Sequence, residues 1–393
     1  MIAWMWASMA FGADLVVLAD EVRPVDGPVI SQGAVLVRDG KIAAVGGQSD
    51  VDVPEGAVVL RGAVVTPGLV DGLTAAGLTG PYNQPQDQDH DEPGLPVAAA
   101  LRAVDAYAPW DPLVDWLREH GVTTIASGPS PGSPVGGRTV VTSTAPGGGV
   151  RVADGMLVLT LGEAAKELEG SHSRMGSAAE IRQAFALAAE YRARRALPLA
   201  DRAPVDLALE PLAEALAGER RVVVFARRAD DLLTALRLRE DLGLDVVLAG
   251  ATEAYLVRDA IAAAGVPVLV GPPMARAWSS SGEAHNGTFE NAALLAAVGV
   301  PIGFGTGYEA YVPKVRVVLF EAAIAAANGL GPERALRAAT LGGAEILGIA
   351  DRTGSLTVGK DADLVVFDGD PFEYATHVCT VIVGGQVLEE TCR

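Results

Sequence analysis

The sequence predicts an α/β protein, a (β/α)8 TIM-like barrel with a small β-sandwich built from both termini. Three observations favour this fold class. Short β-type runs fill residues 13–66 and return after residue 352, and the region between them alternates short apolar runs with amphipathic segments. Half of the 393 residues are hydrophobic, which is ample for a large core. Apolar strands that alternate with amphipathic helices are typical of a parallel sheet covered by helices.

The amino-terminal part reads as a small all-β unit. Its apolar runs cover residues 15–18, 34–38, 42–45 and 57–60, and the dipeptide Asp39-Gly40, typical of a hairpin turn, separates the second run from the third. We therefore predict that residues 13–66 pair with the β-rich carboxyl-terminal segment, residues 353–393, in one composite domain.

The middle, residues 67–352, is predicted to be the barrel. Its β-type runs are residues 122–126, 156–159, 222–226, 246–248, 268–270 and 301–304. A helix is expected to begin at Ser177, where Glu180 would complete a capping box, and to continue to about Arg195. Further helices are expected after Ala229, Thr252, Thr288 and Pro313. The last β-type runs are residues 354–358, 362–367 and 378–383.

Composition and charge exclude several classes of protein. Only 20% of the residues are charged, and 30 basic against 49 acidic side chains give a net charge of −19. Such a chain is neither intrinsically disordered nor a small disulfide scaffold. Its field makes nucleic acid and anionic membrane surfaces poor partners for this acidic protein.

The two ends of the chain bear on its location. Residues 1–12 carry no charged side chain and end in the small-x-small pair Ala10-x-Gly12, which resembles a signal peptide and its cleavage site. We therefore expect a periplasmic or secreted protein that starts near Ala13, with an unprocessed arm on a cytoplasmic protein as the alternative. No later segment reads as a membrane span.

The only cysteines, Cys379 and Cys392, lack zinc-site spacing, and the sequence leaves open whether they form a disulfide.

Four segments carry motifs of a known family. Residues 65–71, Val-Thr-Pro-Gly-Leu-Val-Asp, lead into the first predicted barrel strand, and residues 354–370 form the predicted closing β segment. Residues 335–340 and 344–348 lie in the helices between. These motifs resemble those of the amidohydrolase superfamily, in particular its imidazolonepropionase-like members. The resemblance implies a composite-domain, metal-dependent hydrolase of C–N bonds, often in cyclic amides, and a possible homodimer.

The resemblance also implies where zinc or another divalent metal would bind, and those positions hold unsuitable residues. The metal would activate water and polarise the scissile carbonyl, held by imidazoles and carboxylates at strand ends. Hydrocarbon, aromatic, cationic or glycine residues occupy the implied ligand positions: Leu73, Ala75, Phe225, Arg227, Gly250 and Gly307. We therefore predict a degenerate member of the family that has lost its metal site and needs no cofactor.

Other polar residues follow predicted strands and are candidates for the pocket. Tyr308, Glu309 and Glu253 are expected to line it, and Arg227 and Glu253 are hypothesised to form an ion pair in the vacated space. No residue is a firm catalytic candidate. The weak candidates are His285, which follows the Ser279–Ser281 run, and again Glu253 and Arg227.

Two functions remain open at this point. The first is a non-catalytic pseudoenzyme that binds a small molecule or regulates a protein partner. The alternative is a hydrolase of non-peptide C–N bonds, such as cyclic amides, that works through a non-standard or metal-free site. Metal-free hydrolysis needs an activated nucleophile or a preorganised oxyanion site, and the sequence shows neither in convincing form.

Overall fold

The computed structural model describes residues 14–82, 84–92, 94–166, 173–272, 283–308 and 318–392. The predicted signal segment, residues 1–12, lies outside these residues, and so does Glu309. No helix in the described ranges is long and apolar enough to cross a membrane.

The strands form three sheets. The seven-stranded sheet contains β1 (Leu15–Val22), β2 (Ile30–Arg38), β3 (Lys41–Gly47), β4 (Val58–Pro67), β15 (Leu364–Phe367), β16 (Val378–Val383) and β17 (Gln386–Glu389). The six-stranded sheet contains β7 (Val135–Arg138), β10 (Leu157–Thr160), β11 (Val222–Ala226), β12 (Val246–Gly250), β13 (Val268–Val270) and β14 (Ile302–Phe304). The four-stranded sheet contains β5 (Leu69–Thr74), β6 (Val122–Ser127), β8 (Val140–Ser143) and β9 (Gly149–Val152).

Helices connect most of the parallel strands. Their bounds are α1 (Pro112–Glu119), α2 (Arg174–Arg195), α3 (Glu210–Leu216), α4 (Ala229–Leu242), α5 (Arg258–Ala264), α6 (Asn291–Ala297), α7 (Val318–Ala325), α8 (Pro332–Arg337) and α9 (Gly343–Leu347). Single helical turns also occur at Pro85–Asp87, Ala103–Asp105, Ala164–Lys166 and Ala254–Val257, and five-residue turns at Ala326–Leu330 and Ala338–Gly342.

The seven-stranded sheet contains strands from both ends of the chain. Strand β1 pairs with β2 in antiparallel and with β4 in parallel orientation, and β4 pairs in antiparallel orientation with β15. The Asp39-Gly40 turn joins β2 to β3, and both of its residues have the positive φ that such two-residue turns require, +49° and +75°.

The other two sheets surround the predicted pocket region. Strands β10 to β14 are parallel and neighbours in chain order, because each connection passes through a helical crossover. In the four-stranded sheet β5 pairs in parallel with β6. One parallel bridge, between Thr74 and Gly307, joins the end of β5 to the residues after β14.

The mixed α/β class is therefore confirmed, but the β-ladders of the described residues do not show an eight-stranded TIM barrel. They form separate sheets, because antiparallel strands interrupt the parallel order. Strand β7 runs antiparallel to β10, and β8 runs antiparallel to β6.

Two local predictions are wrong. Helix α2 begins one turn before Ser177, because Ser173 is the N-cap and its hydroxyl accepts the Gly176 N–H at 3.1 Å. Residues 354–358 form no strand. There the hydroxyls of Ser355 and Thr357 both donate to the Asp26 carboxylate, and these side-chain bonds accompany an irregular backbone.

A buried ion-pair group joins β9 to the segment that leads into β15. Arg151, with a 5% exposed side chain, donates to Asp361 and, at 2.7 Å, to Asp363, whose side chain is 1% exposed. Asp363 also accepts the Thr353 hydroxyl at 2.8 Å and the Gly384 N–H at 2.9 Å. Each buried charge therefore has partners, as burial requires.

A disulfide joins Cys379 to Cys392. It ties strand β16 to the tail that follows β17, which forms an edge of the seven-stranded sheet. The question that the sequence left open about these two cysteines is thereby answered.

Candidate functional site

A pocket lies where the parallel strands of the two smaller sheets end. The space between atoms there, counted together with the solvent at its mouth, is about 450 Å³. The described residues that line it come from β5, β11, β12, β13 and the segments that follow these strands and β14: Leu73, Phe225, Arg227, Ala249, Gly250, Thr252, Leu269, Gly271, Pro272, Gly305, Thr306, Gly307 and Tyr308. Ligand sites of open and closed parallel sheets gather at this carboxyl edge.

Two glycines at this edge have backbones that disfavour other residues. Gly250 has φ of +76° and Gly307 has φ of +75°. A Cβ on Gly250 would also lie 3.0 Å from Cε2 of Phe225. A side chain at position 250 would therefore meet both backbone strain and the Phe225 ring.

Three side chains form the polar and aromatic part of the pocket. Cζ of Arg227 lies 5.5 Å from the centre of the Phe225 ring, within cation–π range. The Phe225 and Tyr308 rings meet edge to face, with centroids 6.2 Å apart and planes at 74°. Burial lowers the pKa of Arg227, and the nearby Glu283 charge opposes that shift. The side chain remains a cation at neutral pH, since an arginine pKa is far above 7.

The Tyr308 hydroxyl is buried and has no hydrogen-bond partner among the described residues. Burial, and secondarily the charge of Asp71, raises the pKa of Tyr308 well above its usual value. The hydroxyl therefore stays protonated and keeps one donor to offer. Most buried hydroxyls in folded proteins have a hydrogen-bond partner, so this donor is available to a bound molecule.

Beneath the pocket lies a fully buried carboxylate. Asp71 accepts the Thr306 N–H at 3.0 Å, the Thr306 hydroxyl at 2.5 Å and the Leu73 N–H at 3.3 Å. The Thr306 hydroxyl also lies 3.2 Å from that of Thr74. Burial raises the pKa of Asp71 to about 7, against the opposing effect of these hydrogen bonds.

The lining residues do not suit a divalent metal. Those that the structure describes offer three hydroxyls and backbone carbonyls, but no imidazole, thiolate or carboxylate. Zinc sites are built from imidazole, thiolate and carboxylate ligands. In the described ranges the one group of three such residues is Asp368, Cys379 and Cys392, which lies away from the pocket and whose cysteines are joined in the disulfide.

The structure brings several of the residues singled out from sequence together. Around the pocket lie Leu73, Phe225, Arg227, Gly250, Gly307 and Tyr308. Ala75 is buried but does not line it, and Glu309 lies outside the described residues.

Glu253 and His285 differ from expectation. The carboxylate of Glu253 is buried and does not line the pocket: it accepts the Ala229 N–H at 3.0 Å, in the first turn of α4, and the backbone and side-chain N–H groups of Asn286. An anion at a helix amino terminus is stabilised by the helix dipole. The hypothesised Arg227–Glu253 ion pair is absent from the contacts among described residues, and that hypothesis is wrong. His285 is exposed on the loop before α6.

Sequence reasoning missed two features. The first is the buried Asp71 carboxylate, which the sequence analysis treated only as part of a family motif. A single acid in an apolar strand already indicates a buried, hydrogen-bonded carboxylate, because acids are rarely buried without partners. The second is a charged group beside the pocket, where Arg174 pairs with Asp231 at 3.0 Å and with Glu283 at 3.1 Å. Its members are far apart in sequence, and no local pattern links them.

Comparison with known proteins agrees with the motifs. Residues 246–388 match the model of the amidohydrolase family. The chain is 27% identical to the amidohydrolase tasK of Hapsidospora irregularis over 90% of its own length. It spans only 39% of the length of that relative.

Solved structures show the same fold. An amidohydrolase from Thermotoga maritima has 29% identity and a TM-score of 0.88, covering 96% of this chain and all of that one. A zinc-bound adenosine deaminase from Xanthomonas campestris has 22% identity and a TM-score of 0.58, over 96% and 93% of the two chains, which shows a shared fold. Residues 246–388 are therefore similar to the amidohydrolase family, and the chain shares its fold with an amidohydrolase of known structure.

Proposed function

We propose that this protein is a non-catalytic binding protein built on the amidohydrolase fold, with a pocket that takes a small organic ligand instead of a metal ion. The observation that carries the proposal is the chemistry of the lining. A cation, Arg227, and an aromatic ring, Phe225, stand where the family resemblance implies metal ligands. The proposal concerns the site, because the fold alone does not determine function.

The charge balance of the pocket supports the proposal. A divalent ion leaving water needs several anionic or imidazole ligands. Arg227 places a positive charge at the pocket wall, and Leu73 and Leu269 contribute hydrocarbon. The carboxylate of Asp71 lies beneath the lining residues and already accepts three hydrogen bonds.

The hydroxyls of the lining also support a binding role. The Thr306 hydroxyl donates its one proton to the buried Asp71 carboxylate, which leaves its oxygen as an acceptor for a ligand. The Tyr308 hydroxyl remains protonated for the reason given above. The described lining thus offers a ligand a hydroxyl donor at Tyr308 and a hydroxyl acceptor at Thr306.

We further infer that β5, β6 and β10 to β14 form the wall of a TIM-like barrel around this pocket, distorted by the antiparallel strands β7 and β8. The Thr74–Gly307 bridge supports this inference, because it joins the two smaller sheets at the carboxyl edge. The pocket is lined from both of those sheets.

Metal content tests the proposed function directly. We expect protein purified without chelators, then dialysed, to retain less than about 0.1 zinc, manganese or iron per chain, because the lining lacks a ligand set. Inductively coupled plasma mass spectrometry provides the measurement. About one equivalent of metal that survives dialysis would contradict the proposal and indicate ligands outside the described lining.

Partial restoration of the implied ligands should fail. The double substitution Leu73→His and Ala75→His is expected to leave the protein without tight zinc binding, because Ala75 does not line the pocket and Arg227 still contributes its charge. Calorimetric titration with zinc provides the measurement, and the unsubstituted chain is the control. A submicromolar zinc site created by these two histidines alone would show that the remaining pocket already supplies ligands.

Hydrolysis of C–N bonds is the second candidate, favoured by the names of two of the three similar proteins above, which are called amidohydrolases. Asp71 would be its general base, since burial brings its pKa to about 7. A panel of cyclic amides, assayed with metal-free protein and with the Asp71→Asn variant, tests it. Turnover that the variant lacks would favour this candidate over a binding role.

A further inference from the structure

We propose that Asp368, Cys379 and Cys392 form a zinc site when the disulfide between the two cysteines is reduced. The site belongs to the seven-stranded sheet and the tail that follows it, away from the pocket, so the proposal does not depend on the proposed function. Three features support it: the chemistry of the donor atoms, the strand register that brings them together, and the hydrogen bonds of the carboxylate.

The donor atoms suit zinc. Each of the three side chains offers one donor, and the three donor atoms lie within 4.8 Å of one another. Zinc takes thiolate ligands at about 2.3 Å and carboxylate oxygens at about 2.0–2.2 Å, which places neighbouring ligands of a tetrahedral site about 3.6–3.8 Å apart. Two thiolates beside one oxygen favour zinc over magnesium and calcium, which take oxygen ligands. A water molecule would complete the four ligands.

A β-bulge presents one of the cysteines to this group. The pairing register of β15 and β16 shifts by one residue between Val378 and Thr380, so Cys379 is the extra residue of β16. Bulges change the direction of a side chain and are over-represented next to functional sites. Asp368 is the residue after β15, and Cys392 lies in the tail after β17. The site therefore combines residues that follow or interrupt three neighbouring strands.

The carboxylate of Asp368 is already oriented by His377. Its Oδ1 accepts the His377 backbone N–H at 2.7 Å, and its Oδ2 lies 2.8 Å from Nδ1 of the same residue. These hydrogen bonds, the backbone one first, lower the pKa of Asp368, so the group is an anion at neutral pH. An ionised carboxylate has about four lone-pair sites, which leaves room for a metal ion. Carboxylates that bind metals are commonly held by such hydrogen bonds.

The disulfide prevents zinc binding, because the thiolate is the form of cysteine that binds metals. Reduction by a dithiol transfers two electrons and two protons to Cys379 and Cys392, which become thiols while the dithiol becomes a disulfide. Zinc then displaces the two thiol protons and forms two Zn–S bonds. Cys392 is exposed and Cys379 is half-buried, so the disulfide is within reach of a reductant. The tail is tied to β16 in both states, by the S–S bond in one and by zinc in the other.

Zinc binding by the reduced protein tests the proposal. A phosphine reduces the disulfide without leaving a competing thiol, since water supplies the oxygen of the phosphine oxide and the two thiol protons. Competition with a chromophoric chelator then measures zinc affinity. We expect about one zinc per reduced chain and binding at least about a hundredfold weaker by the disulfide form. Cobalt in place of zinc should give thiolate-to-cobalt charge-transfer absorption with the reduced form alone.

Substitutions test the individual ligands. In the reduced protein we expect Cys392→Ser to weaken zinc binding at least about a hundredfold and Asp368→Asn at least about tenfold. The variant His377→Ala, which removes the side chain that orients the carboxylate, should weaken it by about tenfold. Glu390→Gln is the matched control, because Glu390 is an exposed acid two residues before Cys392 and outside the group of three. Loss of the cross-link cannot explain these effects, since the reduced unsubstituted chain lacks it too.

The outcomes separate this proposal from the proposed function. Equal zinc affinity of the reduced and disulfide forms, or unchanged affinity of the reduced Asp368→Asn variant, would overturn the proposal. If Cys392→Ser fails to fold, the comparison of the two forms and the cobalt spectrum still decide. The metal measurements on the pocket are made with the disulfide intact. Metal retained by that form contradicts the proposed function, whereas a reduced form that binds no zinc contradicts this proposal alone.

Discussion

Replacement of Arg151 by alanine is expected to lower the free energy of unfolding by about 3–5 kcal/mol, the cost of breaking a buried ion pair from one side. The substitution leaves Asp363, whose side chain is 1% exposed, without the cation that pairs with it, whereas Asp361 keeps its pairs with Lys41 and Arg352. The Thr353 hydroxyl and Gly384 N–H remain, but neither carries a compensating charge. Chemical denaturation, monitored by circular dichroism, provides the measurement.

An exposed pair provides the control. Arg182 pairs with Asp241 at 3.1 Å, with side chains 43% and 53% exposed, so Arg182→Ala should cost less than about 1 kcal/mol. Equal losses for the two alanine variants would mean that the Arg151 group contributes no more than a surface pair. The comparison thus isolates the effect of burial.

Replacement of Asp71 by asparagine is expected to make the protein more stable at pH 8, relative to the unsubstituted chain, by about 2–4 kcal/mol. The folded pKa of Asp71 is raised from 3.8 to about 7 by burial, so the folded state holds this proton more tightly than the unfolded state does. Its contribution to stability is therefore full below about pH 4 and is lost as the pH rises through about 7. Asparagine has no charge to bury at any of these pH values.

The test is the difference in unfolding free energy between the variant and the unsubstituted chain, measured at pH 4, 6 and 8. Asparagine keeps one acceptor for the Thr306 and Leu73 N–H groups, and the Thr306 hydroxyl can accept from its amide. Asp241→Asn, at a half-exposed surface position, is the matched control and should show a nearly constant difference. A constant difference for Asp71→Asn as well would show that Asp71 is ionised without cost.

Much of the fold was predictable because its signals are local. The apolar run at 222–226 coincides with β11, and the Asp39-Gly40 pair forms the turn between β2 and β3. Prediction failed where two residues competed for one role. Ser173 and Ser177 are both plausible N-caps of α2, and only the Ser173 hydroxyl accepts a hydrogen bond from an N–H group of the first turn. Antiparallel strands β7 and β8 interrupt the parallel order, and the periodicity of hydrophobic residues does not predict such insertions.

The site was predictable where it depended on strand ends. Residues that follow parallel strands within one to three positions, such as Arg227 and Gly307, converge because the carboxyl ends of those strands share an edge. Side-chain partners were not predictable in the same way. Glu253 also follows its strand closely, three residues after β12 ends, yet its carboxylate turns to the start of α4 and to Asn286. Which groups the Glu253 carboxylate binds depends on distances that are defined only in the folded chain.

The seven-stranded sheet has a consequence for synthesis on the ribosome. Strand β4 has β1 on one side, made shortly before it, but its other neighbour, β15, begins at Leu364 and is made almost 300 residues later. At about 5–20 residues per second, the nascent chain carries that unpaired edge for roughly 15–60 s. Exposed edges of apolar strands pair readily with other chains. We therefore expect ribosome-bound chains to recruit chaperones through β4, and chains truncated before Leu364 to aggregate.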